Sequence, residues 1–219
     1  MKKLILSLIV SVFTISNQAQ ELQKVYSIVK ERQEISWYLV QKELWEKETE
    51  KNKKNGDAWY NYYEATRALR NLHWEEKEFY EKYQKECGEI TKMAYKAAPE
   101  SFEANHLMWR VAGNIAHDNS QSLKYLHKAY EIRPNDSRVL IDMMTQAELD
   151  GDLENYTSYA KQYYKLNDTP ARILNWAYNI LSEVDKNAIV FTAGDNDTYA
   201  TWLVQEAKSY RKDVKIINT

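Results

Sequence analysis

Asp195-Asn196-Asp197-Thr198 is the one stretch of this 219-residue sequence in which neighbouring positions force several oxygen donors together. Two carboxylates, an amide and a hydroxyl suit a hard divalent cation, Ca²⁺ or Mg²⁺, because such ions prefer oxygen ligands. Asp195 and Asp197 are then the candidate metal ligands, and Asn196 and Thr198 complete a candidate polar-ligand site. A second reading needs no ligand. At the start of a helix, Asp195 or Asp197 accepts amide hydrogens left free by the first turn and complements its dipole, for about 1 kcal/mol or less. Direct catalysis is a third reading, and all three stay open on the sequence alone. No catalytic residue is assigned, and no resident cofactor is implied beyond such a cation.

Elsewhere, residue types that often carry chemistry lack the spacing for it. His73, His106, His117 and His127 form no i, i+4 pair and no metal-type pattern with Cys87, so they read as ordinary core or surface histidines. A single cysteine forms no intrachain disulfide, and Cys87 reads as a small packing residue in a helix interface. There is no serine-centred elbow and no glycine-rich phosphate loop.

Composition bounds the elements that must position these groups. Thirty Lys+Arg against 32 Asp+Glu leave a formal charge of −2, which supplies no field for nucleic acid or an anionic membrane. At 44% hydrophobic and 13% aromatic, the chain has the apolar surface for a sizeable core, and wholesale disorder is excluded. Only 5 Gly and 3 Pro disfavour a barrel or sandwich of many short strands and favour long helices. Residues 1–19 have the make-up of a cleavable export signal: Lys2 and Lys3, an apolar run too short to span a bilayer, then small and polar residues to Ala19. Nothing later is apolar enough to span, so the expected location is periplasmic or secreted.

Helical spacing of Leu22, Val25, Val29, Ile35, Leu39 and Trp45 predicts an N-terminal helix within 20–55, stopped by Gly56, with Asp57 as the next cap. Apolar-periodic stretches then predict helices near 57–70, 74–97, 101–115, 119–132, 136–149, 152–166 and 170–184, joined by short turns. Pro99, Pro134 and Pro170 stand 35 and 36 residues apart, and each follows a similar segment, such as Ala94-Tyr95-Lys96-Ala97-Ala98 before Pro99. Proline ends a helix because it lacks an amide hydrogen and restricts the residue before it. A break at this period means stacked helical hairpins.

Trp59-Tyr60-Asn61 at the head of a first helix, and Ser122, Leu126, Ala129 and Pro134 along a second, make 56–184 resemble the tetratricopeptide repeat family. The long second helix from Trp74 and the bulky Tyr156 and Tyr163 depart from its pattern. The resemblance implies that first helices line a concave groove, with Asn61, Arg67, Asn105, Arg110 and Arg138 as candidate partner-groove residues. Arginines there suit a carboxylate or a peptide end. Trp59, Trp109, Tyr125, Tyr130 and Trp176 read as interhelix packing.

After Asp185 the period changes. Residues 188–193 are a short apolar run bounded by Gly194, followed by the acidic loop, a helix near 199–211 and a second run at 214–217, which is a βαβ order with parallel strands. Two parallel strands under one helix leave a face bare, so this unit is expected to continue in a longer chain or to be completed by a partner. Phe191-Thr192-Ala193-Gly194-Asp195-Asn196-Asp197-Thr198-Tyr199, with Trp202, Gln205-Glu206-Ala207 and Arg211-Lys212-Asp213-Val214, looks like the soluble C-terminal region of a Bacteroidota membrane family related to protein O-mannosyltransferases. The membrane domain that would carry glycosyl transfer in that family is missing here.

The expected architecture is therefore mainly α: a signal peptide (1–19), an N-terminal helix (20–55), a tetratricopeptide-like helical-hairpin solenoid (56–184) and the start of an α/β domain (185–219). The expected role is an interaction scaffold of the cell envelope that binds a protein or peptide partner. The alternative is an accessory or catalytic factor in envelope glycan or glycosyl transfer that uses the Asp195-Asn196-Asp197 loop for a metal or polar ligand.

Overall fold

The computed structural model describes residues 21–112 and 120–219; the expected export signal and His117 lie outside them. The described residues form nine helices and two strands: α1 (Ile35–Lys51), α2 (Gly56–Leu72), α3 (Lys77–Ala97), α4 (Phe102–Ala112), α5 (Ser120–Ile132), α6 (Ser137–Leu149), α7 (Leu153–Lys165), α8 (Ala171–Glu183), β1 (Ile189–Thr192), α9 (Asp195–Lys208) and β2 (Lys215–Asn218). Among them no helix is long and apolar enough to cross a membrane.

Short polar side chains set the starts of α2, α6 and α7. Asn55, not Asp57, caps α2: its side chain accepts from the Ala58 amide at 3.2 Å, and Asp57 falls inside the first turn. Asp136 and Asp152 cap α6 and α7 in the same manner. Pro99 and Pro134 follow the ends of α3 and α5 as their geometry requires, whereas Pro170 stands at the start of α8. What stops α7 is Asn167 in the left-handed conformation, φ 55°.

Segment 21–34 is not helical, contrary to the expectation from its spacing. It runs extended to a turn at Ser27, and helix begins only at Ile35. Val25, Ile28 and Val29 are β-branched and lose side-chain freedom in a helix. Val25 instead inserts among Tyr38, Ala65, Ala68, Leu69 and Tyr83.

The helices pack as neighbouring antiparallel pairs from α1 to α7. Cys87, Ala94, Ala104, Ala129 and Ala160 are buried at the crossings, and these small side chains let the axes approach while Ile90, Leu107 and Leu126 fill the space between. At Gly56 the approach is tightest: a Cβ there would stand 2.5 Å from a Glu103 carboxylate oxygen at the start of α4.

The array closes differently from the sequence reading, which placed 170–184 in the hairpin train. α9, not α8, packs on α7, where Trp202 and Leu203 meet Met144, Ala147, Tyr156 and Ala160. α8 packs on the other side of α9, with Ala177 and Leu181 against Ala200, Val204 and Val214. Trp176 is consequently not an interhelix packing residue and stands 42% exposed. β1 and β2 pair in parallel, with Val190 opposite Ile216 and Phe191 opposite Ile217. The result is a helical-hairpin solenoid whose last position is filled by the helix of a small α/β tail.

Candidate functional site

Each hairpin contributes its first helix to one face, and α2, α4 and α6 converge there. The guanidinium of Arg138 on α6 lies 4.4 Å from the Tyr60 ring centroid on α2 and 4.6 Å from that of Phe102 on α4. Helix axes pack 8–10 Å apart, so contact between the first and third members of a row means that the row bends toward this side. This is the inner face of the array.

A row of polar side chains crosses it. Arg110 donates to the Tyr60 hydroxyl at 3.1 Å, and that hydroxyl lies 3.5 Å from His106 Nδ1. His106 Nε2 meets Asp142 Oδ2 at 2.8 Å. The His106 ring is buried between Tyr60 and Phe102, stacked at interplanar angles of 24° and 12°. Burial pushes the Tyr60 hydroxyl up to about 12.

Two buried glutamates anchor the arginines. Glu64 is paired with Arg110 and lies 3.4 Å from Arg67. Burial alone would raise the Glu64 carboxyl, but the two guanidiniums together hold it below the ordinary glutamate range. Glu103 accepts from Arg133 at 2.5 Å, yet its carboxyl is raised because burial outweighs that more exposed partner. Arg138 makes a two-pronged pair with Asp136 at 2.8 and 2.7 Å, which keeps the Asp136 carboxyl low despite its partial burial.

The residues expected to line a groove thus divide in two. Arg67, Arg110 and Arg138 do share the inner face, each partly exposed and each committed to a carboxylate. Asn61 and Asn105 are buried and hold main chain: Asn61 donates to Asp57 O and accepts from the Val25 amide, and Asn105 donates to Pro99 O and Ser101 O. Sequence reasoning missed Glu64, Glu103, His106 and Asp142. The signal available was positional, since Tyr60, His106 and Asp142 recur at separations of 46 and 36 residues on successive first helices.

The acidic stretch at the tail is the first turn of α9, not a loop before a helix near 199. Gly194 precedes it at φ 83°, ψ 179°, a conformation that excludes a side chain, and makes no side-chain cap. Asp195 and Asn196 are exposed and Asp197 half-buried. The Thr198 hydroxyl is committed to Thr192 Oγ1 at 2.7 Å and Gly194 O at 2.8 Å. Two carboxylates and one amide fall short of the six to eight oxygens of a dedicated Ca²⁺ site, and the described residues hold no group of three or more His, Cys, Asp and Glu placed for a metal. The stretch is tied to the array: Tyr199 packs half-buried against the cluster that α6, α7 and α9 share, and burial pushes its hydroxyl up to about 12.

His73 bonds Leu69 O through Nδ1 at 2.7 Å, and His127 is exposed. The Cys87 thiol is buried and raised to about 12 by desolvation, which leaves it inert as a nucleophile.

Residues 173–219 match a family model described as TMEM260-associated domain 2. The match covers a minor part of the chain. It begins inside α8 and takes in β1, α9 and β2, which is the packed unit of the tail. No curated protein matches the chain.

Proposed function

We propose that the chain is an interaction scaffold of the cell envelope, a tetratricopeptide-like array that docks a protein or peptide partner on its inner face. The observation that carries this reading is the convergence of α2, α4 and α6 on one row of polar side chains. Arg67, Arg138 and Asp142 are about a quarter exposed there and held in fixed geometry. Fixed donors lose little freedom when a partner carboxylate replaces an internal one. Export through residues 1–19 would place this face outside the cytoplasm.

The test is capture from an envelope extract with the purified chain as bait, comparing wild type with Arg67→Ala/Arg138→Ala. The expected result is loss of a partner that wild type retains, with the thermal midpoint lowered only modestly. An unchanged set of captured proteins from the folded variant contradicts the assignment.

A second reading, an accessory in envelope glycan transfer, is favoured by the match of the tail to a TMEM260-associated unit and by its resemblance to a mannosyltransferase-related family. Here Asp195, Asn196 and Asp197 offer a polar ligand two carboxylates and an amide at a helix N-terminus. Calorimetry with sugars, Ca²⁺ and Mg²⁺ on wild type and Asp195→Ala/Asp197→Ala separates the readings. Ligand heat abolished by the substitutions supports a site, and a stability loss with no ligand heat in either protein leaves the carboxylates as partners of the helix dipole.

A further inference from the structure

Segment 21–31, extended to Ser27 and turned from there to Glu31, is held as a bound peptide is held. Its main chain is gripped by side chains of two helices rather than by another strand. Gln41 of α1 accepts from the Gln23 amide at 2.9 Å and donates to Glu21 O at 3.0 Å. Trp45 donates its indole hydrogen to Gln23 O at 2.9 Å. Asn61 of α2 accepts from the Val25 amide at 2.7 Å. Bonds of this kind recognise any extended backbone, and the selection lies in what the side chains meet.

One side chain is deeply buried. Val25 is 3% exposed, in a pocket of Tyr38, Ala65, Ala68, Leu69 and Tyr83; Ile28 packs half-buried against the same cluster, and Leu22 and Val29 are 41% and 68% exposed. Five residues on, Lys30 reaches Asp168 in the α7–α8 connection at 2.5 Å, 138 positions away in the chain. The segment therefore lies along the seam between α1 and α2, held by one buried anchor, one exposed ion pair and five main-chain bonds, the fifth from the Tyr38 hydroxyl of α1 to Glu31 O at 3.1 Å. An exposed pair of this kind contributes about 1 kcal/mol or less.

We propose that the α1–α2 seam is a peptide-recognition site occupied in cis by the chain's own segment 21–31. Its partner in trans is a peptide extended through a β-branched residue for the Val25 pocket and then turned, as the strap is at Ser27, to place a cationic residue five positions later at Asp168. The segment acts as a displaceable strap, and the partner binds by taking over its bonds. The affinity seen from outside is reduced by the fraction of molecules in which the strap is open. This deepens the scaffold reading by naming a site and a ligand class, and it rests on that reading. Its test is separate, because the capture experiment reads Arg67 and Arg138, neither of which touches the strap.

The experiment uses the full chain and a fluorescent synthetic peptide with the sequence of residues 21–31. Val25→Asp places a carboxylate in an apolar pocket and detaches the strap. The folded variant is expected to bind the peptide saturably, with wild type about ten-fold weaker or more. Adding Asn61→Ala to Val25→Asp is expected to weaken binding about five-fold, the cost of one main-chain bond. A folded Val25→Asp chain that takes up no peptide overturns the proposal. So does concentration-dependent dimerisation of wild type that Val25→Asp abolishes, because the strap would then reach to a second copy. Hydrogen exchange on wild type decides the matter even if the variant fails to fold. The Gln23 and Val25 amides should exchange well ahead of the α2 core amides, and exchange only with global unfolding overturns the strap.

Discussion

The inner face of the array and the outer face of the tail's sheet solve opposite problems. On the inner face, charge is buried and nearly every group has a partner within the chain: Glu64 with Arg110 and Arg67, His106 with Asp142, and Arg138 with Asp136. On the sheet, Val190 and Ile216 turn toward α8 and α9, while Ile189, Phe191 and Ile217 stand 55%, 68% and 41% exposed on the other side. Parallel strands are normally covered on both faces. The polar row therefore contributes geometry and selectivity, because any partner must exchange bonds already made. Uncovered apolar area would contribute affinity, because covering it removes surface from water.

The joint between these regions carries the largest expected effect. Trp202 is buried where α9 meets α6 and α7, edge-on to the Tyr156 ring. Trp202→Ala should cost about 3–5 kcal/mol. In chemical denaturation it should also separate unfolding of the tail from that of the hairpins, as read by tryptophan fluorescence against circular dichroism. A single transition with the wild-type midpoint would mean that the tail is not part of the array.

Next comes the buried pair. Arg110→Ala leaves the Glu64 carboxylate buried with only the longer Arg67 contact, at a cost of about 3 kcal/mol. Glu64→Gln/Arg110→Met should recover most of that in the same urea titration, since a matched neutral pair leaves no orphaned charge.

Acid response separates the two buried glutamates. The folded Glu64 carboxyl lies below its ordinary value of 4.5, so the fold binds fewer protons there than the unfolded chain. Its contribution is present above that value and is lost as pH falls toward the folded one. Glu103 is raised and has the opposite sign, since protonation on acidification favours the fold. Between pH 6 and about 3, Glu64→Gln should flatten the decline of stability and Glu103→Gln should steepen it. Equal slopes in both variants would contradict the assigned shifts.

The smallest stability effect is expected at the sheet. Phe191→Ser on the exposed face should change stability by about 0.5 kcal/mol or less. If that face meets a partner or a further strand, the same substitution should abolish the contact, as read by light scattering or by capture.

Much of the helical order was legible because burial on one side imposes a 3.6-residue period, and because Pro99 and Pro134 cannot continue a helix. Segment 21–34 was misread because Leu22, Val25 and Val29 fall at helical spacing by coincidence. Only Val25 is deeply buried, and no periodicity argument tells one anchor from a stripe. The allegiance of α8 was hidden for a related reason, since an apolar stripe says that a helix packs but not on what. At the inner face, the arginines were found from their chemistry one at a time. Their partners were missed because Glu64, Glu103, His106 and Asp142 acquire meaning only when successive first helices are laid side by side. In the acidic turn, Thr198 looked like a ligand but belongs to the strand–helix junction, which a one-dimensional reading of donors does not distinguish.

Docking on the inner face is tested most directly by side-chain footprinting of the chain alone and in complex with a captured envelope partner. Protection of Arg67, Arg138 and Asp142, with the outer surface of α3 unchanged, is the result expected. Protection confined to Phe191 and Ile217, or to Trp74 and Phe79, would contradict it.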